Sequence, residues 1–290
     1  MTRTYKVVDV FTSTPLRGNP VAVVLDAEGL NTEAMHAVAA WTNLSETTFL
    51  LPPEKAEADY RLRIFTPRSE LPFAGHPTLG SAHAALEAGR VVPRDGRLVQ
   101  ECGIGLIHLN AGGDGANREL SLSLPAATLT PLDGSGIEEL EAIVGTTVNR
   151  EAHPTIVDVG AVWIVACVSS VDRLLSLKPD FARSAEFERR IGVTGVTLFA
   201  AKDGAQGEIE VRSFASSQGV NEDPVCGSGN GSVAVFRHAH GLLPPGATRY
   251  VATQGRCLGR SGTIAVRVDS DGKVELGGRC VTTVNGVITT

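Results

Sequence analysis

The chain has 290 residues, 42% of them hydrophobic and 20% charged, with a net charge of −6. The acidic balance argues against nucleic-acid binding, because phosphate contacts need clustered Lys and Arg, and the apolar fraction argues against a disordered chain. The longest apolar run, 160–168, is about half the length of a membrane span, so no membrane partner is expected.

Residues 1–10 read as the start of a strand and lack the apolar core of a signal peptide, which makes the cytoplasm the expected compartment. Strands are predicted at 6–11 and 21–25, then a helix at 31–42 carrying an apolar rhythm through Met35, Val38, Ala39 and Trp41, with Asn31 or Thr32 as its cap. Strands at 47–51 and 60–65 follow, then a helix at 77–88 that opens with proline and stops at Gly89. Further strands are read at 98–100, 105–109, 120–124, 155–159, 163–168, 197–201, 208–214, 263–268 and 273–276, each short and bounded by turn residues. Asp271-Gly272 reads as the turn between the last two. Helices are read at 136–144, 170–175, 179–191 and 229–240. Strands do not alternate regularly with long helices, so the fold class is α+β rather than a doubly wound parallel sheet.

An internal repeat organises this pattern. Pro72-Phe-Ala-Gly-His-Pro77 aligns with Pro224-Val-Cys-Gly-Ser-Gly229 at an offset of 152 residues, and Val8-Asp9-Val10 aligns with Val157-Asp158-Val159 at an offset of 149. Each glycine turn follows an Arg-x-Phe strand, Arg63-Ile-Phe65 or Arg212-Ser-Phe214, and each opens a helix closed by glycine. Duplication explains two matches in one order at nearly one offset better than chance recurrence of turns does. Two similar halves imply a cleft for a small molecule.

Both turns present helix N-termini, whose free N–H groups and dipole suit a carboxylate. Gly75 and Gly227 allow close backbone approach, although tight turns alone would also explain them. His76 and Ser228 occupy matching positions. Asp223 stands at the mouth of the second turn, either as a helix cap or as the partner of a ligand's amine or hydroxyl. Glu46 lies in a mostly apolar stretch and corresponds to Gly195, so the second half has no such carboxylate. It reads either as a surface residue or as a desolvated acid able to give and take a proton. Cys226, matched by Ala74, is either packing or a thiol activated by the helix start. The cysteines Cys102, Cys167, Cys226, Cys257 and Cys280 are odd in number and never form Cys-x-x-Cys. Neither a disulfide frame nor a thiolate metal site is expected. The histidines form no ligand cluster, and no nucleotide, Walker or metalloprotease motif is present.

The motifs Val8-Asp9-Val10-Phe11, Gly18-Asn19-Pro20-Val21-Ala22-Val23, Asn43-Leu-Ser-Glu46-Thr-Thr-Phe, Phe73-Ala-Gly-His-Pro-Thr-Leu-Gly80, Glu222-Asp-Pro-Val-Cys-Gly-Ser-Gly-Asn-Gly231 and Gln254-Gly255 with Leu258-Gly259-Arg260 together resemble the PhzF-like family of phenazine-biosynthesis proteins, within the diaminopimelate epimerase fold. The resemblance spans essentially the whole chain. It implies two pseudo-symmetric lobes, each a barrel-like sheet around a central helix. The N-terminal lobe would be 1–117, completed by the last strand near 283–290, and the C-terminal lobe 118–290. It also implies a homodimer and no cofactor or metal. The family reaction is isomerisation of trans-2,3-dihydro-3-hydroxyanthranilate by proton movement. Glu46 would be the acid/base, with Gly75, His76, Asp223, Gly227 and Ser228 on the substrate. Cys226 departs from the threonine common in the family and is a candidate second acid/base. The expected function is therefore a cofactor-independent isomerase of a small carboxylate. An epimerase, racemase or dehydratase pairing Cys226 with Glu46, and a non-catalytic ligand-binding homologue, are the alternatives.

Overall fold

The structure, a computed structural model, describes residues 1–202, 207–244, 246 and 248–290. In chain order the first part forms β1 (Thr2–Val10), β2 (Asn19–Val24), α1 (Thr32–Thr42), β3 (Thr47–Leu51), β4 (Tyr60–Phe65), β5 (Glu70–Leu71), α2 (Gly75–Glu87), β6 (Arg97–Cys102), β7 (Gly105–Gly112) and β8 (Glu119–Ser123). The rest forms β9 (Thr128–Pro131), α3 (Gly134–Val144), β10 (Thr155–Asp158), β11 (Val162–Cys167), α4 (Val171–Ser176), α5 (Phe181–Ile191), β12 (Gly195–Ala201), β13 (Ile209–Ala215), β14 (Val220–Asp223), α6 (Gly227–Ala239), β15 (Thr248–Gln254), β16 (Gly262–Val268) and β17 (Val274–Thr289). Two compact units result: Met1–Leu122 with Gly277–Thr290, and Ser123–Leu276.

In the first unit β17, β1, β2, β3, β4, β6, β7 and β8 pair in that order, and β8 pairs back to β17, so the sheet closes on itself. The β2–β3 and β4–β6 pairings are parallel. Inside runs α2, whose small residues Gly80, Ala82, Ala84 and Ala85 let the wall come close. A Cβ on Gly80 would lie 2.3 Å from Val21 Cγ1. Its buried hydroxyls are satisfied, as burial requires: Ser81 Oγ meets Thr48 Oγ1 at 2.8 Å, and Thr78 Oγ1 accepts from Gln100 Nε2 at 3.0 Å. Outside the barrel, α1 starts at Asn31, whose side chain accepts from the Ala34 N–H at 2.8 Å. Met35, Val38 and Ala39 pack on Val24, Phe49 and Phe65. Trp41, expected on the same face, is 78% exposed. Two residues beyond Ala39 is roughly 200° around a helix, so it falls on the opposite side.

The second unit repeats the plan. Strands β9, β10, β11, β12, β13, β15 and β16 are neighbours in that order, again with parallel pairings at the third and fifth junctions, β11–β12 and β13–β15. The buried helix α6 packs on β10, β11, β12 and β16, and α3, α4 and α5 cover a core that includes Ile137, Leu140, Leu174, Phe187 and Leu198. Details recur as well. Arg63 lies over Phe65 at 5.1 Å and grips Glu70 with two hydrogen bonds; Arg212 lies over Phe214 at 5.0 Å and grips Glu222 in the same way. Gln100 bonds Thr78 on the first central helix, and Gln254 bonds Asn230 on the second. The repeat in the sequence is thus a repeat in topology. Each unit is a barrel-like sheet around a central helix, and the chain is α+β.

Several expectations need correction. The units divide at Leu122/Ser123 rather than after 117, because β8 belongs to the first ring. The returning segment starts at Gly277 rather than near 283, because β17 is one strand from Val274 to Thr289 paired along β1. The strands β5, β9, β14 and β15 were not expected from the sequence, and α2, α3 and α6 begin two residues earlier than predicted. No helix among the described residues is long and apolar enough to cross a membrane.

Candidate functional site

In the first unit, strand β2 fixes both members of one couple. Asn43 ends α1 in the left-handed conformation, at φ 53°, and turns the chain toward β3. The carbonyl of Glu46, the residue before β3, accepts from the Ala22 N–H at 3.3 Å. Two residues earlier on β2, the Pro20 carbonyl accepts from the His76 ring. The couple meets with His76 Nε2 3.2 Å from Glu46 Oε2, and the side chains are 8% and 16% exposed. Burial pushes the His76 imidazolium down to about 3, so the ring is neutral near neutral pH and faces Glu46 as a dipole rather than a counter-charge. Its Nε2 makes no aligned hydrogen bond in the protein, although it lies 3.2 Å from the carboxyl. The α2 N-terminus beside it has no side-chain cap, and the space a Cβ on Gly75 would occupy is open.

In the second unit β14 delivers Asp223 to the turn before α6. Asp223 Oδ1 accepts from the Val225 N–H at 3.0 Å, a turn rather than the helix cap the sequence allowed. The cap is Cys226, whose sulfur accepts from the Gly229 N–H at 3.3 Å. Gln254 clamps the turn: Nε2 donates to the Asp223 carbonyl at 2.9 Å, and Oε1 accepts from the Cys226 N–H at 3.1 Å and from Asn230 at 2.7 Å. The Ser228 hydroxyl accepts from Trp163 Nε1–H at 3.0 Å. Beneath, Arg212 holds Glu222 and donates to the Leu174 and Leu177 carbonyls, both at 3.0 Å.

Two titrations at the turn itself differ from ordinary values. Burial, followed by the charge of Asp223, pushes the Cys226 thiol well up, the opposite of activation by a helix start. Burial also raises the Asp223 carboxyl to about 6, against hydrogen bonds from Val225 and Cys226 that lower it. Folding therefore takes up a proton between pH ~4 and ~6, and stability falls as pH rises through that window. Asp223→Asn should remove the fall. Melting temperatures of variant and wild type are expected to draw apart in the variant's favour from pH 4 to pH 6 and then run parallel. A constant gap across that range rejects the raised value.

The structure brings Glu46 together with His76 beside Gly75, and Asp223 together with Cys226 and Ser228 beside Gly227. Sequence reasoning missed Trp163 and the Arg212–Glu222 pair as site residues. Gln254 stood in a recognised motif without a role. Among the described residues no group of three or more His, Cys, Asp and Glu is arranged to hold a metal ion.

The family model for phenazine biosynthesis-like proteins matches residues 8–286. The chain is 38% identical to antisense-enhancing sequence 1 of Schizosaccharomyces pombe, over 97% of each protein. It is 35% identical to trans-2,3-dihydro-3-hydroxyanthranilate isomerase of Pseudomonas aeruginosa, over 93% of this chain and 91% of that one. Among solved structures it is similar to a Bacillus anthracis phenazine biosynthesis protein of the PhzF family, with a TM-score of 0.90 and 24% identity over 100% of both chains. A hydroxyproline epimerase of Agrobacterium vitis shares the fold, with a TM-score of 0.68 at 15% identity over 99% of this chain and 92% of that one.

Proposed function

This chain belongs to the phenazine biosynthesis-like protein family and is an isomerase, and from that premise we propose that it moves a proton between two carbons of a small carboxylate, with Glu46 as the proton carrier. The observation that carries the reading is the half-buried Glu46 carboxyl set 3.2 Å from a neutral His76. The Glu46 carboxylate takes a proton from one carbon, the electron pair left behind enters the conjugated system, and the carboxyl returns the proton to another carbon. No electron is gained or lost. While the carboxyl holds the proton, the neutral His76 ring beside it sets no counter-charge against the acid form.

The remaining residues bind and orient. In the second unit the α6 start at Gly227, with the Ser228 hydroxyl, suits the substrate carboxylate, and in the first the uncapped N–H groups at Gly75 suit an anionic group. Asp223, which titrates near 6, suits an amine or hydroxyl, and His76 lines the reacting end. A second acid/base role for Cys226 finds less support, because its thiol stays protonated and gives its hydrogen to Asp223. The same reading takes a homodimer as the assembled form and the cytoplasm as the place of action.

The name borne by the Pseudomonas aeruginosa relative supplies the first substrate to try. Trans-2,3-dihydro-3-hydroxyanthranilate should be consumed in deuterium oxide, and the product should carry deuterium at the newly protonated carbon. If neither consumption nor C–H exchange occurs, for this compound or for cyclic amino acids, the isomerase reading of the site is rejected.

A further inference from the structure

The second unit has a counterpart of the Glu46–His76 couple, and it cannot titrate. Gly195 opens β12 parallel to β11, as Glu46 precedes β3 parallel to β2, and Ser228 stands at the helix position of His76. Gly195 has no room for a side chain: a Cβ would fall 2.0 Å from the Phe214 carbonyl oxygen and 2.8 Å from Trp163 Cζ3. Trp163, 3% exposed, is the register partner of Gly195 across β11 and β12. Its indole occupies the space, and its Nε1–H reaches Ser228 Oγ at 3.0 Å. Where the first unit sets a carboxyl against an imidazole, the second sets an indole N–H against a hydroxyl.

The chemistry of that pair has a direction. An indole N–H only donates, whereas a hydroxyl has one hydrogen and two lone pairs. With Trp163 filling one lone pair, Ser228 must spend its hydrogen elsewhere. The acceptor at hand is Cys226 Sγ at 3.6 Å, a sulfur that already accepts from the Gly229 N–H. Sulfur is a weak acceptor, so an oxygen arriving on a ligand takes the hydrogen instead. Donation into Oγ also polarises the hydroxyl and strengthens its own donation.

We propose that Trp163 is a positioning residue that fixes Ser228 as a hydrogen-bond donor and thereby makes its subsite select a carboxylate over the corresponding amide. The inference rests on the reading that Ser228 meets the substrate carboxylate. It names the device that decides which end of a substrate enters there.

The test uses 3-hydroxyanthranilate and its carboxamide as probes, with dissociation constants measured by calorimetry on the full chain. Wild type should prefer the carboxylate, because hydrogen bonds to an anion are the stronger kind. Trp163→Phe keeps the ring and removes the N–H, and it should cut that preference by about tenfold. Ser228→Ala should cut it similarly, and the double variant no further. A full preference in Trp163→Phe, with Ser228→Ala impaired, overturns the inference and leaves the function standing. A full preference in Ser228→Ala, or a wild type that binds neither probe, overturns the function reading and the inference with it. Should Trp163→Phe fail to fold, the wild type still decides. The chain has two tryptophans, of which Trp41 is exposed, so the Trp163 indole N–H resonance is readily assigned. It should shift with the carboxylate and much less with the carboxamide, and equal shifts refute the proposal.

Discussion

Replacing Glu46 by glutamine is expected to lower turnover by about 10³-fold while leaving the affinity for 3-hydroxyanthranilate within a few-fold of wild type. Positioned acid–base catalysis contributes about 10²–10⁴ in rate, and an amide can neither take the proton nor return it. Binding should survive because the change keeps the shape of the side chain, and the backbone hydrogen bond from Ala22 to the residue-46 carbonyl is untouched. Solvent-deuterium exchange should fall in parallel with turnover, since both need the same transfer. Activity within tenfold of wild type would exclude Glu46 as the carrier, and a matching loss of affinity would make it a binding residue instead.

Arg212→Met is expected to destabilise the second unit by about 3–5 kcal/mol, because it strands the Glu222 carboxylate in a buried place. Arg212 makes two hydrogen bonds to Glu222, at 2.9 and 2.8 Å, and two more to the Leu174 and Leu177 carbonyls. Both partners of the ion pair are nearly sealed from water. The duplicated pair supplies the control: Arg63 grips Glu70 with the same two hydrogen bonds, but in a more exposed setting. Exposed pairs contribute roughly 1 kcal/mol or less, so Arg63→Met should be nearly neutral. Urea unfolding of the two variants, with Arg212→Met/Glu222→Gln as the rescue, measures the contrast. Equal losses at 63 and 212 would show that burial is not what sets the cost. Glu222 precedes Asp223, so loss of Arg212 should also disturb substrate binding.

Much of this was legible in the sequence because the repeat is carried by local chemistry. The Arg-x-Phe strands, the glycine turns and the helix-closing glycines at Gly89 and Gly241, both at positive φ, each declare themselves within a few residues. Glu46 stood out as a carboxylate because its mate in the repeat is glycine, Gly195. What stayed hidden depends on partners far along the chain. Asn285-Gly286 looks like a turn, yet both residues are in β17, opposite Lys6 and Tyr5, since pairing with β1 overrides local preference. Strand β9 has an exposed burial pattern throughout, so it offers no periodicity to read. Trp163 sat in plain view inside a predicted strand. Its role depends on a hydroxyl 65 residues away, which no local pattern encodes.

The long closing strand has a consequence for how the molecule is made. β1 is translated well before the residues with which it pairs along its full length. The first barrel must wait open, its seam exposed, while the second, continuous from 123 to 276, can complete itself. Contacts across so great a separation form slowly, so the nascent amino-terminal half is the stretch on which chaperones have longest to act.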